Sequence, residues 1–320
     1  MSLKTHLTTR LNIQHPILLA PMAGVSGGAL AAAVTNAGGL GIIGGGYGDK
    51  EWLEREIIAA GNAGVAIGFI TWALQKCPDM LNVALAREPK AIFLSFGEID
   101  SFAPRIKNAG IPLIAQVQSV AQAKAAVSEG ADFIVAQGTE AGGHGGTRST
   151  FPLVPAIVDA VGSIPVIAAG GIGDGRGLAA ALMLGAAGVL CGTAFFASKE
   201  ALSHPNMKRA AFTASGDETV RSSAVDVARG IDWPAQWTIR TLENNFTKQW
   251  SRDLEGLRRN VAIEQPKYSK AREAGDIDVA AVIVGEAVDL VRADENAREI
   301  VTRIASQAES LLRNTARFMT

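Results

Sequence analysis

The sequence predicts an α/β fold, a (β/α)8 TIM barrel with a smaller helical insertion near its C-terminus. Three observations predict it. Eight short apolar runs are each followed by a stretch of helical character. The runs are continuously apolar rather than alternating, as parallel strands buried on both faces are. The length of 320 residues suits one large barrel with an insertion. A doubly wound open sheet shares the strand–helix alternation and is the runner-up.

The units follow in order. PILLA (16–20) precedes the Ala-rich stretch 28–37, LGIIG (40–44) precedes 50–61, and VAIGF (65–69) precedes 78–87. AIFLS (91–95) precedes 100–109, PLIAQ (112–116) precedes 119–129, and DFIVA (132–136) precedes 152–161. PVIAA (165–169) precedes 176–185, and AGVLC (187–191) closes the series before a helix near 199–211. The helical stretches carry the other period: Val120, Ala123 and Val127 share a face, while Lys124 and Glu129 reach water.

After about residue 212 charges become denser and strand-like runs vanish. Leu242, Phe246, Trp250, Leu254 and Leu257 fall on one stripe of a helix over 242–259, and WPAQW (233–237) adds two tryptophans. These observations predict a helical insertion over 212–272 that covers a substrate, its tryptophans serving either as that cover or as ordinary core. From 277 the chain is apolar again and ends in an amphipathic helix over 294–314. Residues 1–211 and 273–320 then form the barrel.

Composition excludes several classes. Hydrophobic residues make up 48% of the chain and charged ones 19%, a globular balance. The net charge is −1 with no basic block, so no nucleic-acid partner is expected. No charged residue lies between Arg10 and Asp49, but Pro16, Pro21 and glycine pairs break any membrane-spanning helix there, and Pro21 cuts short any signal-peptide core. Cys77 and Cys191 form neither a disulfide framework nor a metal spacing, and Cys191 reads as a buried structural thiol. A cytoplasmic location fits two thiols without a framework.

The glycine motifs carry the chemistry. GLGIIG (39–44) matches a dinucleotide fingerprint, but its glycines surround a strand instead of opening a helix, so that reading fails. AAGGIGDGRG (168–177) and LCGTAFF (190–196) follow strands seven and eight, where barrels bind phosphate through bare backbone N–H groups. Gly170, Gly171, Gly192 and Thr193 are therefore candidate phosphate contacts. QGTEAGGHGG follows strand six on the same face. His144 is read as the only histidine there, a candidate acid or base, whereas His204 beside Pro205 reads as a helix-end residue. Glu140 is read either as a second acid or base or as an acceptor for loop N–H groups. LAPMAG (19–24) ends strand one with an irregular turn at Pro21 and Met22, against which an aromatic ring can lie.

APMAG, NAGGLGIIGGG, AQGTEAGGHGG, PVIAAGGI and GTAFF together resemble the nitronate monooxygenase (2-nitropropane dioxygenase) family over roughly residues 10–200. The E-A-G-G-H element is shared with the flavin-dependent enoyl-acyl-carrier-protein reductases, but APMAG and AQGTEAGGH lean towards the monooxygenases. The resemblance implies FMN, with its phosphate at Gly170, Gly171, Gly192 and Thr193. Its ring would lie near Ala20, Pro21, Met22, Gln137 and Gly138. Ala141, Gly142 and Gly143 would pass the flavin, His144 would stand over its reactive side, and Gln116 would make a polar contact. Some members carry Asn at the end of strand three, where this chain has Phe69; a more apolar pocket with Trp72 contributing is then expected. The implied activity is oxidation of nitronates, or of nitroalkanes after proton removal, by O2 to carbonyl compounds and nitrite. NAD(P)H-dependent reduction of an enoyl thioester is the alternative. No metal is expected, and an oligomer is compatible with the sequence.

Overall fold

A closed ring of eight parallel strands organises the computed structural model, which describes residues 3–315. The ring begins with β1 (Ile17–Leu19), β2 (Ile42–Gly44), β3 (Ala66–Ile70), β4 (Ile92–Ser95), β5 (Leu113–Val117) and β6 (Phe133–Gln137). A short strand, β7 (Gly143–Gly145), leaves the wall; β8 (Val166–Ala169) and β9 (Gly188–Cys191) resume it. β9 pairs in parallel with β1, and a parallel bridge between Leu18 and Leu40 joins β1 to the chain entering β2. The sheet therefore has no open edge, and the open-sheet alternative is excluded.

The continuous apolar runs have the reason expected of them. Alternate side chains fill the barrel interior, among them Leu18, Ile42, Phe93, Ile114, Phe133, Ile167 and Leu190. Their neighbours, including Ile17, Ile43, Ile67, Leu94 and Ile134, pack outward under the helices. Each buried side chain of this size contributes about 1.5–3 kcal/mol. The helix His6–Leu11, opened by a Thr5–Thr8 capping box, sends Leu7 and Leu11 into the interior cluster. No helix among the described residues is long and apolar enough to cross a membrane.

The eighth strand and its helix are far apart in sequence. Helix Ala297–Arg313 packs against Gly175–Met183 and Gly28–Asn36, completing the outer ring. Asn296 and Glu299 cap it reciprocally, and Ile300, Val301, Ile304 and Ala308 form its buried face. Residues 192–296 are thus an excursion inside the eighth βα connection. The helix expected at 199–211 starts later, at Pro205, runs to Thr213 and belongs to this excursion.

The excursion is not wholly helical. β10 (Thr219–Ser222) and β11 (Thr238–Leu242) pair antiparallel, and β11 pairs with β7, giving a second sheet ordered β10-β11-β7. Both strands are short and alternate β-branched with polar residues, so they lack the apolar run that marks a barrel strand. The single helix expected over 242–259 is also absent. Leu242 ends β11, Asn244 caps helix Asn245–Trp250, and Asp253 caps helix Leu254–Arg259. Side-chain caps satisfy free N–H groups and so favour new starts over continuation. Phe246, Trp250 and Leu257 still share one core with Val225 and Tyr268. Residues 1–2 and 316–320 of the barrel assignment lie outside the described residues.

Candidate functional site

The C-terminal ends of the barrel strands open into a cavity of about 370 Å³. Ala20, Pro21 and Met22 form one wall, where the chain leaves β1 in a tight turn. Met22 N–H donates to Ser26 Oγ at 2.7 Å, and that hydroxyl donates back to Met22 O at 3.1 Å. Gln116 and Gln137, at the ends of β5 and β6, add amides to the lining. Gly170 and Gly171 follow β8 with φ of 100° and 71°, a backbone path that only glycine follows without strain. Gly192 and Thr193 follow β9. The nearest atoms to a Cβ on Gly192 would be those of Ala20 and Met22, at an ordinary contact distance of 3.4 Å.

The segment after β6 packs against the returning end of the excursion. Ala141, Gly142, Gly143 and His144 line the cavity. A Cβ on Gly142 would lie 2.4 Å from the Val284 carbonyl carbon, so this glycine permits the returning chain to pass. Gly285 N–H donates to Thr193 Oγ1 at 2.9 Å, and Glu286 N–H to Glu140 O at 3.0 Å. Gly138 is the one cofactor candidate that does not line the cavity; its Cβ space is filled by Thr150 and the Glu140 carboxylate. Glu140 accepts from Thr150 N–H at 3.0 and 2.9 Å and from Thr150 Oγ1 at 2.7 Å. The acceptor reading of Glu140 therefore describes its geometry.

His144 does not sit in a loose turn. It is the middle residue of β7, opposite Ile239 of β11, and is 8% exposed. Gln137 Nε2 donates to His144 O at 2.9 Å, Gln118 Nε2 donates to Gln137 Oε1 at 2.9 Å, and Trp237 Nε1 donates to Gln118 Oε1 at 3.1 Å. Arg221 of β10 donates to the carbonyls of Thr139 (2.9 Å), Ala141 (3.0 Å), Gly143 (3.5 Å), Gly145 (3.3 Å) and Thr238. One guanidinium thus ties the whole histidine segment to the excursion. Burial beside Arg240 pushes its pKa down to about 10, so it stays protonated at neutral pH.

The imidazole has a partner that sequence reasoning missed. Nε2 of His144 lies 3.0 Å from both carboxylate oxygens of Asp226, which is 3% exposed. Asp226 stands on the six-residue helix Ala224–Arg229, between β10 and β11. The hairpin that pairs with β7 thereby brings a carboxylate to the histidine. Burial lowers the imidazole pKa, the Asp226 hydrogen bond and charge raise it, and Arg229 and Arg221 lower it; the net direction is down. The stable form at neutral pH is then neutral, with Nε2–H donated to Asp226 and the Nδ1 lone pair free for chemistry.

Aromatic side chains enclose this pair. The Trp233 indole stacks on the imidazole at 3.4 Å between centroids and 9° between planes. Its Nε1–H donates to Tyr47 Oη at 3.1 Å. Phe96 sits edge-on to His144, Trp233 and Trp237 and holds φ of 62°, a strained conformation for a bulky residue. Trp233 and Phe69 line the cavity, but Trp72 does not; it packs behind Tyr47 and Trp233. Trp237 serves as a donor to Gln118, not as cover. His204 caps helix Pro205–Thr213 through Nδ1, and it also lines the outer cavity, so His144 is not the only histidine on this face. Cys191 is buried, its thiol pushed up to about 12, and is inert. No metal-ligating cluster occurs among the described residues.

Comparison with known proteins agrees with this geometry. Residues 4–65 and 70–307 match the nitronate monooxygenase family. A probable nitronate monooxygenase of Staphylococcus aureus strain MSSA476 is 32% identical, the alignment covering 97% of this chain and 98% of that one. Among solved structures, FabK from Thermotoga maritima is 30% identical with a TM-score of 0.86, covering 99% and 100% of the two chains. A nitroalkane oxidase from Streptomyces ansochromogenes is 27% identical with a TM-score of 0.79, covering 95% and 98%. Since the match takes in the barrel, the histidine segment and the excursion alike, the chain belongs to the nitronate monooxygenase family of flavin-dependent oxidoreductases.

Proposed function

We propose that this protein uses FMN and O2 to oxidise alkyl nitronates to carbonyl compounds and nitrite, and that His144 admits neutral nitroalkanes by removing their α-proton. The observation that carries the reading is the buried His144–Asp226 pair beside a cavity whose barrel side is lined by glycine-rich loops. That wall suits a flat ring with a phosphate tail. Gly192 leaves space that a side chain would take from a ligand, and Gly170 and Gly171 present bare backbone beside it. Thr193 would complete the phosphate contacts. Ala20, Pro21, Met22, Gln137, Ala141, Gly142 and Gly143 would hold the ring, with Gln116 a polar contact. When bound, FMN supplies the electron-transfer and oxygen chemistry.

The side chains supply the acid–base work. With Nε2–H donated to Asp226, Nδ1 takes the α-carbon proton, and the carboxylate stabilises the imidazolium that forms. The resulting nitronate is an anion beside an imidazolium. Arg229 also lines the cavity and adds positive charge. Residues 212–272 act as the substrate cover in this reading, since Arg229, Trp233, Ile239, Tyr268 and Arg272 line the side away from the barrel.

The test begins with the absorption spectrum of the purified protein, where a colourless, flavin-free protein would sink the reading. Oxygen uptake with nitroethane and with preformed ethylnitronate is then set against NAD(P)H oxidation with a crotonyl thioester. Turnover of the thioester alone transfers the protein to the reductase alternative. His144→Asn is expected to abolish oxidation of neutral nitroalkanes, a loss of about 10²–10⁴-fold for a general base, while part of the activity on preformed nitronates survives. Equal loss on both substrates shows that proton removal is not its role.

A further inference from the structure

We propose that Trp233 is a positioning residue for the base: its indole, anchored by Tyr47, holds the His144 imidazole in the plane that turns Nδ1 to the substrate. This inference rests on the reading of His144 as a base and adds to it the residue that fixes the ring.

The geometry leaves the imidazole few ways to move. Asp226 holds it at one atom, Nε2, and a contact at one atom leaves the ring free to rotate about that line. The backbone of His144 is fixed by β7 pairing and by Gln137, which restrains the Cα but not χ2. The remaining restraint is the flat indole at 3.4 Å and 9°. A parallel face at that distance resists rotation out of plane, because tilting drives ring atoms into the indole. Phe96, edge-on at 6.3 Å, is too distant to do this alone.

Trp233 is itself anchored, although no helix or strand carries it. It lies in the irregular stretch between helix Ala224–Arg229 and β11. Its N–H is bound by Tyr47, and its faces and edges meet Tyr47, Trp72 and Phe96 at 5.2–6.2 Å between centroids. Tyr47 belongs to the loop after β2, and Arg229, from the helix that carries Asp226, lies over its ring at 5.5 Å. The base is therefore held at Nε2 by Asp226 and on one face by Trp233, whose indole is in turn tied to the barrel loop through Tyr47.

The experiment compares Trp233→Leu, Trp233→Phe and Tyr47→Phe in the flavin-loaded enzyme, with nitroethane and preformed ethylnitronate as parallel substrates. A misplaced base slows only the substrate that needs proton removal. Trp233→Leu is expected to lower kcat on nitroethane by about 10²-fold, the scale of a 1 Å misplacement. Trp233 also lines the substrate cavity, so activity on ethylnitronate falls too, but by at least about tenfold less than activity on nitroethane; the ratio of the two losses is the readout. Trp233→Phe keeps a flat face and retains most of the nitroethane rate. Tyr47→Phe removes the anchor and gives a smaller loss confined to nitroethane.

Equal losses on both substrates, or none, overturn the proposal, as does a faster nitroethane reaction in Trp233→Leu, which would make the indole a plug over the base. If Trp233→Leu does not retain flavin, Trp233→Phe and Tyr47→Phe decide by the same split. His144→Asn separates the two failures: if it shows the split and the Trp233 variants do not, only the positioning role fails. If His144→Asn shows no split, the reading of His144 as a base fails as well.

Discussion

The two sides of the cavity are built from different material. The barrel side is rich in backbone: Gly142, Gly143, Gly170, Gly171 and Gly192 line it beside Met22, Gln116 and Gln137. The excursion side is side chain: Arg229, Trp233 and Tyr268 line it from a helix, an irregular stretch and a second helix, and Asp226 stands behind them on His144. The contrast matches a division of labour, since peptide N–H groups suit a phosphate and a flat ring, whereas protons and charge need titratable groups. It also implies that each side can be damaged without the other. The most direct break in the comparison is Asp226→Asn. An amide that donates to Nε2 forces the imidazole proton onto Nδ1, the atom that must be bare. Nitroethane turnover is expected to fall by roughly 10³-fold, within the range for a general base, with flavin content unchanged. Removing the carboxylate that raises the imidazole pKa also moves the acid limb of the residual pH–rate profile lower. A flavin-free Asp226→Asn protein would instead show that the two sides are one unit.

This contrast also explains what was legible in the sequence. Glycine density marks a backbone surface, so the loops after β6, β8 and β9 stood out and met at one cavity. The barrel was legible because each strand is a closed apolar run. Asp226 carried no such signal: AVDVAR is a short helix with one acid among many in the charged third of the chain. What brings it to His144 is the β10-β11-β7 sheet, and those strands are too short and too polar to announce themselves. Their one visible trace is alternation in TVRS and TIRTL. Gly138 failed in the opposite way. It sits among glycines that line the cavity but does not line it itself, and its missing side chain makes room for Thr150 and Glu140. Proximity in sequence to a binding motif does not decide which glycines reach the cavity.

Arg221 joins the two sides, and its removal should blur the comparison. Lysine keeps the charge but cannot fork to the carbonyls of Thr139, Ala141, Gly143, Gly145 and Thr238 together. Several buried acceptors then lose their donor, at about 1–3 kcal/mol each before relaxation. Arg221→Lys is expected to lower stability by roughly 2–4 kcal/mol, among the larger effects of a single substitution. Denaturant unfolding measures it, and nitroethane turnover should fall with the loosened β7. A variant as stable as wild type would mean that β7 pairing alone holds the histidine segment.

A gentler probe touches only the backbone side. The Cβ of Gly192→Ala meets Ala20 and Met22 at ordinary contact distance, and φ at this position is −107°, within reach of any residue. Unliganded stability should change by less than about 0.5 kcal/mol, the usual range for a substitution without steric conflict. The methyl does narrow the cavity between the loop assigned to the phosphate and the Ala20–Met22 wall. Flavin affinity is expected to fall about tenfold, or ~1.4 kcal/mol, while turnover at saturating flavin stays near normal. Unchanged affinity in a flavin titration would move the phosphate away from this loop.

The smallest expected effect lies in the pH dependence of stability on the side-chain side. Burial holds the folded-state pKa of His144 below its ordinary value of 6.5, even though Asp226 pulls it up. The unfolded chain then binds more protons at this position than the folded one as the pH falls below 6.5. Stability from the neutral imidazole is therefore complete above 6.5 and is lost as the pH drops through the folded-state value. His15 is shifted in the same direction by burial, so the wild-type curve contains both contributions. Subtracting the His144→Gln curve isolates one of them. Unfolding free energies measured from pH 7.5 to 5 should decline more steeply in wild type than in His144→Gln. The reverse order would mean that Asp226 outweighs burial and holds a charged imidazole in the resting protein, which makes His144 a stabiliser of the nitronate anion and not the base that forms it.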